Sequence, residues 1–158
     1  MSPRFANSQP AEERVQKHSD LAIDQPVIIA DYDAAMSLRK AAENIGLSSA
    51  DDRDQIGSFV KRNPGLSKVL VDEGGLVGTI LCGHDGRRGY LYHLCVDRKY
   101  RRRGAGTALV DACLWDLRKQ GIRKCHLFVF DANEVGKEFW KASGWQLRRD
   151  INVFSKDI

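Results

Sequence analysis

The sequence predicts an α/β protein, a mixed sheet with helices on both faces, and three features carry that prediction. Strand patterns at 66–72, 76–82 and 90–96 are joined by glycine-bearing turns of hairpin length, so these strands pair antiparallel. The third strand runs into a glycine loop and a helix, and another apolar segment follows at 125–130; that β-α-β crossover makes the flanking strands parallel. The helix between them places Val110, Cys113, Leu114 and Leu117 at i, i+3, i+4 and i+7, one apolar stripe. The whole order reads β-α-α-β-β-β-α-β-α-β-β.

Residues 1–25 are polar without a sustained period and read as a flexible N-terminal tail, with a short helix near Glu12–His18; residues 26–158 read as one domain. Pro26 precedes a first strand at 27–30. Asp31 is placed to cap a helix over 32–44, striped by Ala35, Leu38 and Ala42 and closed by Gly46. Ser48 and Ser49 precede a second helix, 50–62, stopped by Asn63-Pro64-Gly65. Glu73-Gly74-Gly75 turns the first hairpin and Asp85-Gly86 the second. The helix after the glycine loop starts near Thr107 and ends at Gly121. The segment 125–130 reads as a strand buried on both faces. Asn133 caps a short helix striped by Val135, Phe139 and Ala142 and ended by Gly144, and two last strands fit within 145–149 and 151–155.

Of the 158 residues, 42% are hydrophobic and 29% charged, the profile of a globular domain with a substantial core. The net charge of +4 suits a small polyanion and is too small to argue for nucleic acid. No apolar run approaches the length of a membrane span, and the opening stretch lacks the apolar segment of a secretory signal. Cys82, Cys95, Cys113 and Cys125 lie in apolar patterns and read as reduced thiols of a cytoplasmic protein. His84, His93 and His126 lie near three of them, yet no Cys-x-x-Cys spacing supports zinc, and no metal is expected.

The chemistry is concentrated after Val96. A strand ends there, a basic loop follows, Gly104 and Gly106 stand one residue apart, and a helix opens. The first amides of a helix have no carbonyl partner, the helix dipole adds positive charge, and glycines let phosphate approach the backbone. Arg101, Arg102 and Arg103 add forked donors. The loop is neither nucleotide fingerprint: Leu109 replaces the third Rossmann glycine, and no Gly-Lys-Ser/Thr follows.

Arg101-Arg102-Arg103-Gly104-Ala105-Gly106, following Leu94-Cys95-Val96-Asp97, resembles the acetyl-CoA loop of the GNAT N-acetyltransferase superfamily. Arg98 stands where that family commonly has proline, and Arg102 where it has a glycine. Asn133 with Phe139-Trp140-Lys141-Ala142-Ser143-Gly144-Trp145 resembles the family's later Asn and Phe-Tyr segment, with Trp140 at the tyrosine position. The resemblance spans 27–155. It implies the GNAT acyl-CoA N-acyltransferase fold and transfer of acetyl from acetyl-CoA to a primary amine of a small molecule or protein, by direct attack in a ternary complex. It implies a wedge between the strands at 90–96 and 125–130, where backbone of Leu94, Cys95 and Val96 meets the pantetheine arm and the Val96 N–H faces the thioester oxygen. Amides of Arg101 through Thr107, Ala105 included, would hold pyrophosphate, and Asn133, Phe139 and Trp140 would touch the cofactor.

Indole cannot release a proton, so Trp140 cannot be the acid. Tyr92 or Tyr90 is a substitute, unless the thiol leaves as thiolate. For the base, His93, Glu43 and His84 are candidates, as is a water chain. Strict strand alternation sends Tyr92 and His93 to opposite faces, so that only one faces the acceptor. The expected partners are acetyl-CoA and an amine acceptor, with a homodimer as the oligomer. A competing class is a non-catalytic CoA-binding or interaction module of the same fold, which acetyl-CoA turnover with amines would separate; nucleic-acid binding through 98–103 would need basic residues spread over a face.

Overall fold

A computed structural model describes residues 22–27 and 29–158. The tail expected over 1–25 therefore falls outside it as far as residue 21, and with it the short helix near Glu12–His18. The chain divides into two compact units, the first ending at Leu127 and the second running Phe128–Ile158.

The first unit holds a five-stranded sheet in the order β1-β2-β3-β4-β5. β1 is Ala22–Pro26, β2 Lys68–Asp72, β3 Gly75–His84, β4 Gly89–Val96 and β5 Cys125–Leu127. The first four pair antiparallel as neighbours, and β5 pairs parallel with β4. Both hairpins fall where their glycines placed them. The first strand lies earlier than expected: β1 takes residues assigned to the tail, and only the Val27 amide, bonded to the Ser67 carbonyl at 3.0 Å, continues the pairing. Ile29–Asp31 is instead a 3-10 turn, so Asp31 has helical dihedrals and makes no side-chain cap to the helix it precedes.

Helices α1 (Tyr32–Ala41) and α2 (Arg53–Arg62) follow. α1 stops three residues short of the expected end because Ala42 turns to extended backbone, well before Gly46. Before α2, Ser48 opens a separate 3-10 turn, Ser49–Asp51, as a capping box: its hydroxyl accepts from the Ala50 amide, and the Asp51 carboxylate accepts from the Ser48 amide. α3 spans Ala105–Lys119, starting two residues earlier than expected, and Gly121 at φ +81° closes it.

The helices take opposite faces. A β-carbon on Gly89 would lie 2.6 Å from Leu117 Cδ1 of α3, and one on Gly83 would lie 2.8 Å from the Phe59 ring of α2. Leu70 and Ile80 of the sheet and Leu109 of α3 are completely buried, and each is worth about 1.5–3 kcal/mol in apolar burial. β5 corrects two expectations. It ends at Leu127, and its residues are only half-buried, so it is not a strand sealed on both faces.

In the second unit, α4 spans Glu134–Ala142. Its Asn133 cap accepts the Gly136 amide at 2.9 Å, and Gly144 at φ +85° ends it. The two strands expected within 145–149 and 151–155 are absent: residues 145–158 carry no regular structure. A strand exists only when a ladder partner takes its amides, and no alternation pattern supplies one. The Arg148 guanidinium forks onto Asp150 at 2.7 Å, two residues away, which is a local contact.

Candidate active site

The parallel pairing of β4 with β5 covers Gly89–Leu91 against Cys125–Leu127 and stops there. β4 continues to Val96, so its outer edge from Tyr92 onward has no partner strand among the described residues. On the inner side Asp97 donates to the Val77 carbonyl at 2.8 Å. Antiparallel residues alternate between facing the neighbour and facing away. Cys95 therefore faces β3, and Val96, opposite Gly78, turns its N–H and C=O to the open edge. The Arg101 Nε–H takes the Val96 carbonyl at 2.8 Å, and the Val96 N–H remains. Arg101 is thus bound to β4 through Nε, and the Cys95 thiol donates to the Leu38 carbonyl of α1 at 3.5 Å.

Between these stretches β4 carries a bulge. The register passes from Leu81↔Tyr92 to Thr79↔Cys95, so Ile80 alone opposes His93 and Leu94. His93 takes φ +52° to make it. The bulge cancels the strict alternation expected here. The Tyr92 ring meets Phe59 of α2 edge-on at 6.0 Å, and His93 Nε2 lies 2.6 Å from Asp51 Oδ1, just ahead of α2. Both side chains thus serve the α2 face.

Tyr92 stacks with Tyr90 at 6.4 Å, and Tyr90 meets His126 at 5.8 Å. Burial, with smaller contributions from Tyr90 and Cys125, pushes the Tyr92 phenol above its usual range. Asp51 is nearly sealed, its side chain 7% exposed against 18% for His93. Its carbonyl accepts the Tyr32 hydroxyl at 2.8 Å. Arg39 of α1 is 1% exposed, with Nη2 donating to Thr79 Oγ1 at 3.4 Å and Nε and Nη1 buried without partners. Burial lowers the Arg39 pKa, and the charge of Asp51 opposes that shift.

The other base candidates stand elsewhere. Glu43 is exposed and paired with Arg98 at 3.1 Å. Both nitrogens of His84 are occupied in its hairpin, one by Gln120 at 2.8 Å and the other by the Gly86 amide at 3.0 Å. No three His, Cys, Asp or Glu side chains gather as a metal cluster among the described residues.

The loop after β4 forms a concave run of backbone. Arg102 at φ +58° and Gly104 at φ +80° are both left-handed, and Gly104 is the N-cap of α3. Ala105, Gly106 and Thr107 open the helix, where no carbonyl lies one turn earlier to take their amides. Arg103 sits over the Tyr100 ring, 6.0 Å from its centre, and the Tyr100 hydroxyl donates to Asp72 in a short hydrogen bond. In the second unit Asn133 spends its oxygen on the helix cap, and Trp140 packs edge-on against Phe139 at 4.9 Å and Trp145 at 5.1 Å.

Sequence reasoning missed Asp51 as a partner of His93, and it missed the buried Arg39. The Ser48-x-x-Asp51 spacing of a capping box was a usable signal for Asp51. The bulge had none.

The acetyltransferase (GNAT) family profile matches residues 32–145. An acetyltransferase of Pectobacterium atrosepticum is 30% identical over 105 residues, covering 66% of this chain and 74% of that protein. The mycothiol acetyltransferase of Propionibacterium freudenreichii is 29% identical over 126 residues, 74% of this chain but 40% of that longer protein. Among solved structures, the PaiA N-acetyltransferase of Thermoplasma acidophilum, in complex with coenzyme A, superposes with a TM-score of 0.70 at 18% identity, covering 81% of this chain and 91% of that one. Ard1 of Thermoplasma volcanium gives 0.71 at 22% identity, covering 82% and 84%. At these identities the two structures speak for the fold.

Proposed function

This chain belongs to the acetyltransferase (GNAT) family, and on that premise we propose that it moves the acetyl group of acetyl-CoA to a primary amine by direct attack in a ternary complex. The observation that carries this reading is β4: an unpartnered edge with the Val96 N–H turned outward, leading into a left-handed Gly104 and the open amides of α3. An extended pantetheine arm adds to such an edge as a strand does. The Val96 N–H then points at the thioester oxygen and stabilises its developing charge. The amides from Arg102 to Thr107 take the pyrophosphate, with Arg102 and Arg103 adding charge. Arg101 holds the Val96 carbonyl, so its guanidinium serves the edge before it serves phosphate. Leu94, in the bulge, flanks the arm.

The amine nitrogen attacks the thioester carbon, and the C–S bond breaks as the tetrahedral intermediate collapses. One proton leaves the nitrogen and one reaches the departing sulfur. His93 is the acceptor of the first and Tyr92 the donor of the second. An alkylammonium with a pKa near 10.4 must be neutral to attack, which is why a base is needed. No step uses a metal. No helix among the described residues is long and apolar enough to cross a membrane, and the unpaired cysteines favour a cytoplasmic setting.

The test pairs binding with turnover. Acetyl-CoA at a hundred times its dissociation constant stabilises a protein by about 2.7 kcal/mol, which at this size raises the melting temperature by roughly 5–11 °C. With chelator present, a panel of primary amines is screened for release of free CoA thiol. Binding without turnover on any amine favours the non-catalytic module; no thermal shift at millimolar acetyl-CoA removes the cofactor from the reading.

A further inference from the structure

We propose that Asp51 is a positioning residue for the transfer: it holds His93 with its proton on Nε2 and its lone pair on Nδ1, directed to the acceptor amine. This rests on the reading of His93 as the proton acceptor.

The argument starts from what Asp51 is asked to accept. Its Oδ1 lies 2.6 Å from His93 Nε2, and its Oδ2 lies 2.9 Å from the Ser48 amide. A carboxylate only accepts, so the proton shared with His93 belongs to the imidazole, on Nε2. In the neutral ring, the form that can act as a base, Nδ1 then carries the lone pair, and no described residue bonds it. Asp51 cannot swing away to release this tautomer. Its side chain is 7% exposed, its Oδ2 is held by the Ser48 amide, and its own carbonyl is tied to Tyr32.

The backbone fixes the other half. His93 holds φ +52°, a left-handed conformation that a non-glycine residue keeps only when its surroundings impose it. Here the bulge imposes it on the backbone and the bond to Asp51 orients the ring. The residue that departs most from strand geometry in β4 is thus also the one whose ring nitrogen is held by a buried carboxylate. A plain capping role for Asp51 would need only the bond to Ser48.

Asp51→Asn separates the two roles. Asn has one oxygen for two donors. When that oxygen stays on the Ser48 amide, the amide NH₂ faces His93, so the ring must present a lone pair at Nε2 and carry its proton on Nδ1. The base is then blunted with the geometry intact, a loss that in other His–Asp pairs reaches about 10⁴-fold.

The experiment measures turnover on the best amine of the panel for wild type, Asp51→Asn, His93→Gln and the double variant. Acetyl-CoA affinity is measured for each, and ¹⁵N shifts of the labelled imidazoles are read without acceptor. The expected result is a fall in kcat of roughly 10²–10⁴-fold in Asp51→Asn. Acetyl-CoA affinity should stay within about twofold, and there should be no further loss when Asp51→Asn is added to His93→Gln. The His93 resonances should move from the Nε2–H to the Nδ1–H pattern. An Nδ1–H tautomer in the wild type overturns the proposal even if no amine is accepted. So does an equal loss from Asp51→Asn in both backgrounds, which marks a structural role. A wild type that binds acetyl-CoA, shows the Nε2–H tautomer and acetylates nothing tells against the proposed function and leaves the positioning geometry standing.

Discussion

On the proposed mechanism Tyr92 supplies the proton that the departing thiolate takes, because Trp140, at the position where the family often has tyrosine, carries an indole that cannot release one. Burial first, then Tyr90 and Cys125, push the Tyr92 pKa above its usual 10. A group with a raised pKa stays protonated through its ordinary value, so acid assistance from Tyr92 is expected to persist to pH 10 and fade only beyond it. Tyr92→Phe is expected to lower kcat by roughly 10–10²-fold, with acetyl-CoA affinity unchanged, and to remove any alkaline fall of the pH–rate curve that belongs to this phenol. Trp140→Phe, which keeps an aromatic ring beside Phe139 and Trp145, is expected to cost about threefold or less. A collapse of turnover in Trp140→Phe with binding intact would reverse the two roles. At this scale the directions of Tyr92 and His93 were not legible in the sequence. Tyr92 and His93 are neighbours, and period-two alternation puts neighbours on opposite faces. The extra residue in the bulge at Ile80 breaks that rule, and a bulge is set by the partner strand rather than by its own side chains.

The start of α3 sets two demands on its glycines that a substitution can separate. Gly104 holds φ +80° as the N-cap, so Gly104→Val is strained by its backbone alone and is expected to weaken both the fold and acetyl-CoA binding. Gly106 lies inside the helix and is not left-handed. Alanine is the better helix former by about 1 kcal/mol, so Gly106→Ala is expected to raise the melting temperature slightly while weakening acetyl-CoA, because a methyl group would stand at the amides proposed to take the phosphate. Titration calorimetry and thermal melts on both variants check the opposite signs. A Gly106→Ala protein with unchanged affinity would move the phosphate site away from these amides. The helix itself was legible because four apolar residues at helical spacing and a closing Gly121 left little choice. Its start was misplaced by two residues because Ala105 and Gly106 carry no local mark of being helical rather than loop. The strands expected after Trp145 failed for a different reason: their pattern was real, but alternation is a property of one segment and a ladder is a property of two.

At the scale of the molecule, the order β2-β3-β4-β5 followed from hairpin lengths and one crossover, whereas the pairs that pin α3 to that sheet were invisible in sequence. Lys68 of β2 and Asp116 of α3 are far apart in the chain, yet their side chains meet at 2.5 Å with Lys68 only 4% exposed. Lys119, at 2.6 Å, shares the same carboxylate from outside. Burial pushes the Asp116 carboxyl up, but hydrogen bonds from Lys119 and Lys68 outweigh it and hold the pKa below the usual value. The unfolded chain, with a normal carboxyl near 3.9, therefore binds the proton more readily than the folded one. It follows that this contact stabilises the fold above about pH 4 and loses that contribution as pH falls through the folded value. Asp116→Asn leaves the buried Lys68 ammonium facing an amide, and at pH 7 the loss is expected to be about 2–4 kcal/mol, below the full cost for a sealed pair because Asp116 keeps some contact with water. Denaturant unfolding of wild type and Asp116→Asn between pH 7 and pH 3 checks this. The gap between the two proteins is expected to hold from pH 7 to about 5 and to narrow below about 4, because acid protonates in the wild type the group that the variant has already neutralised. A gap that stays constant down to pH 3 would show that Asp116 acts through packing, and that charge does not fasten this helix to the sheet.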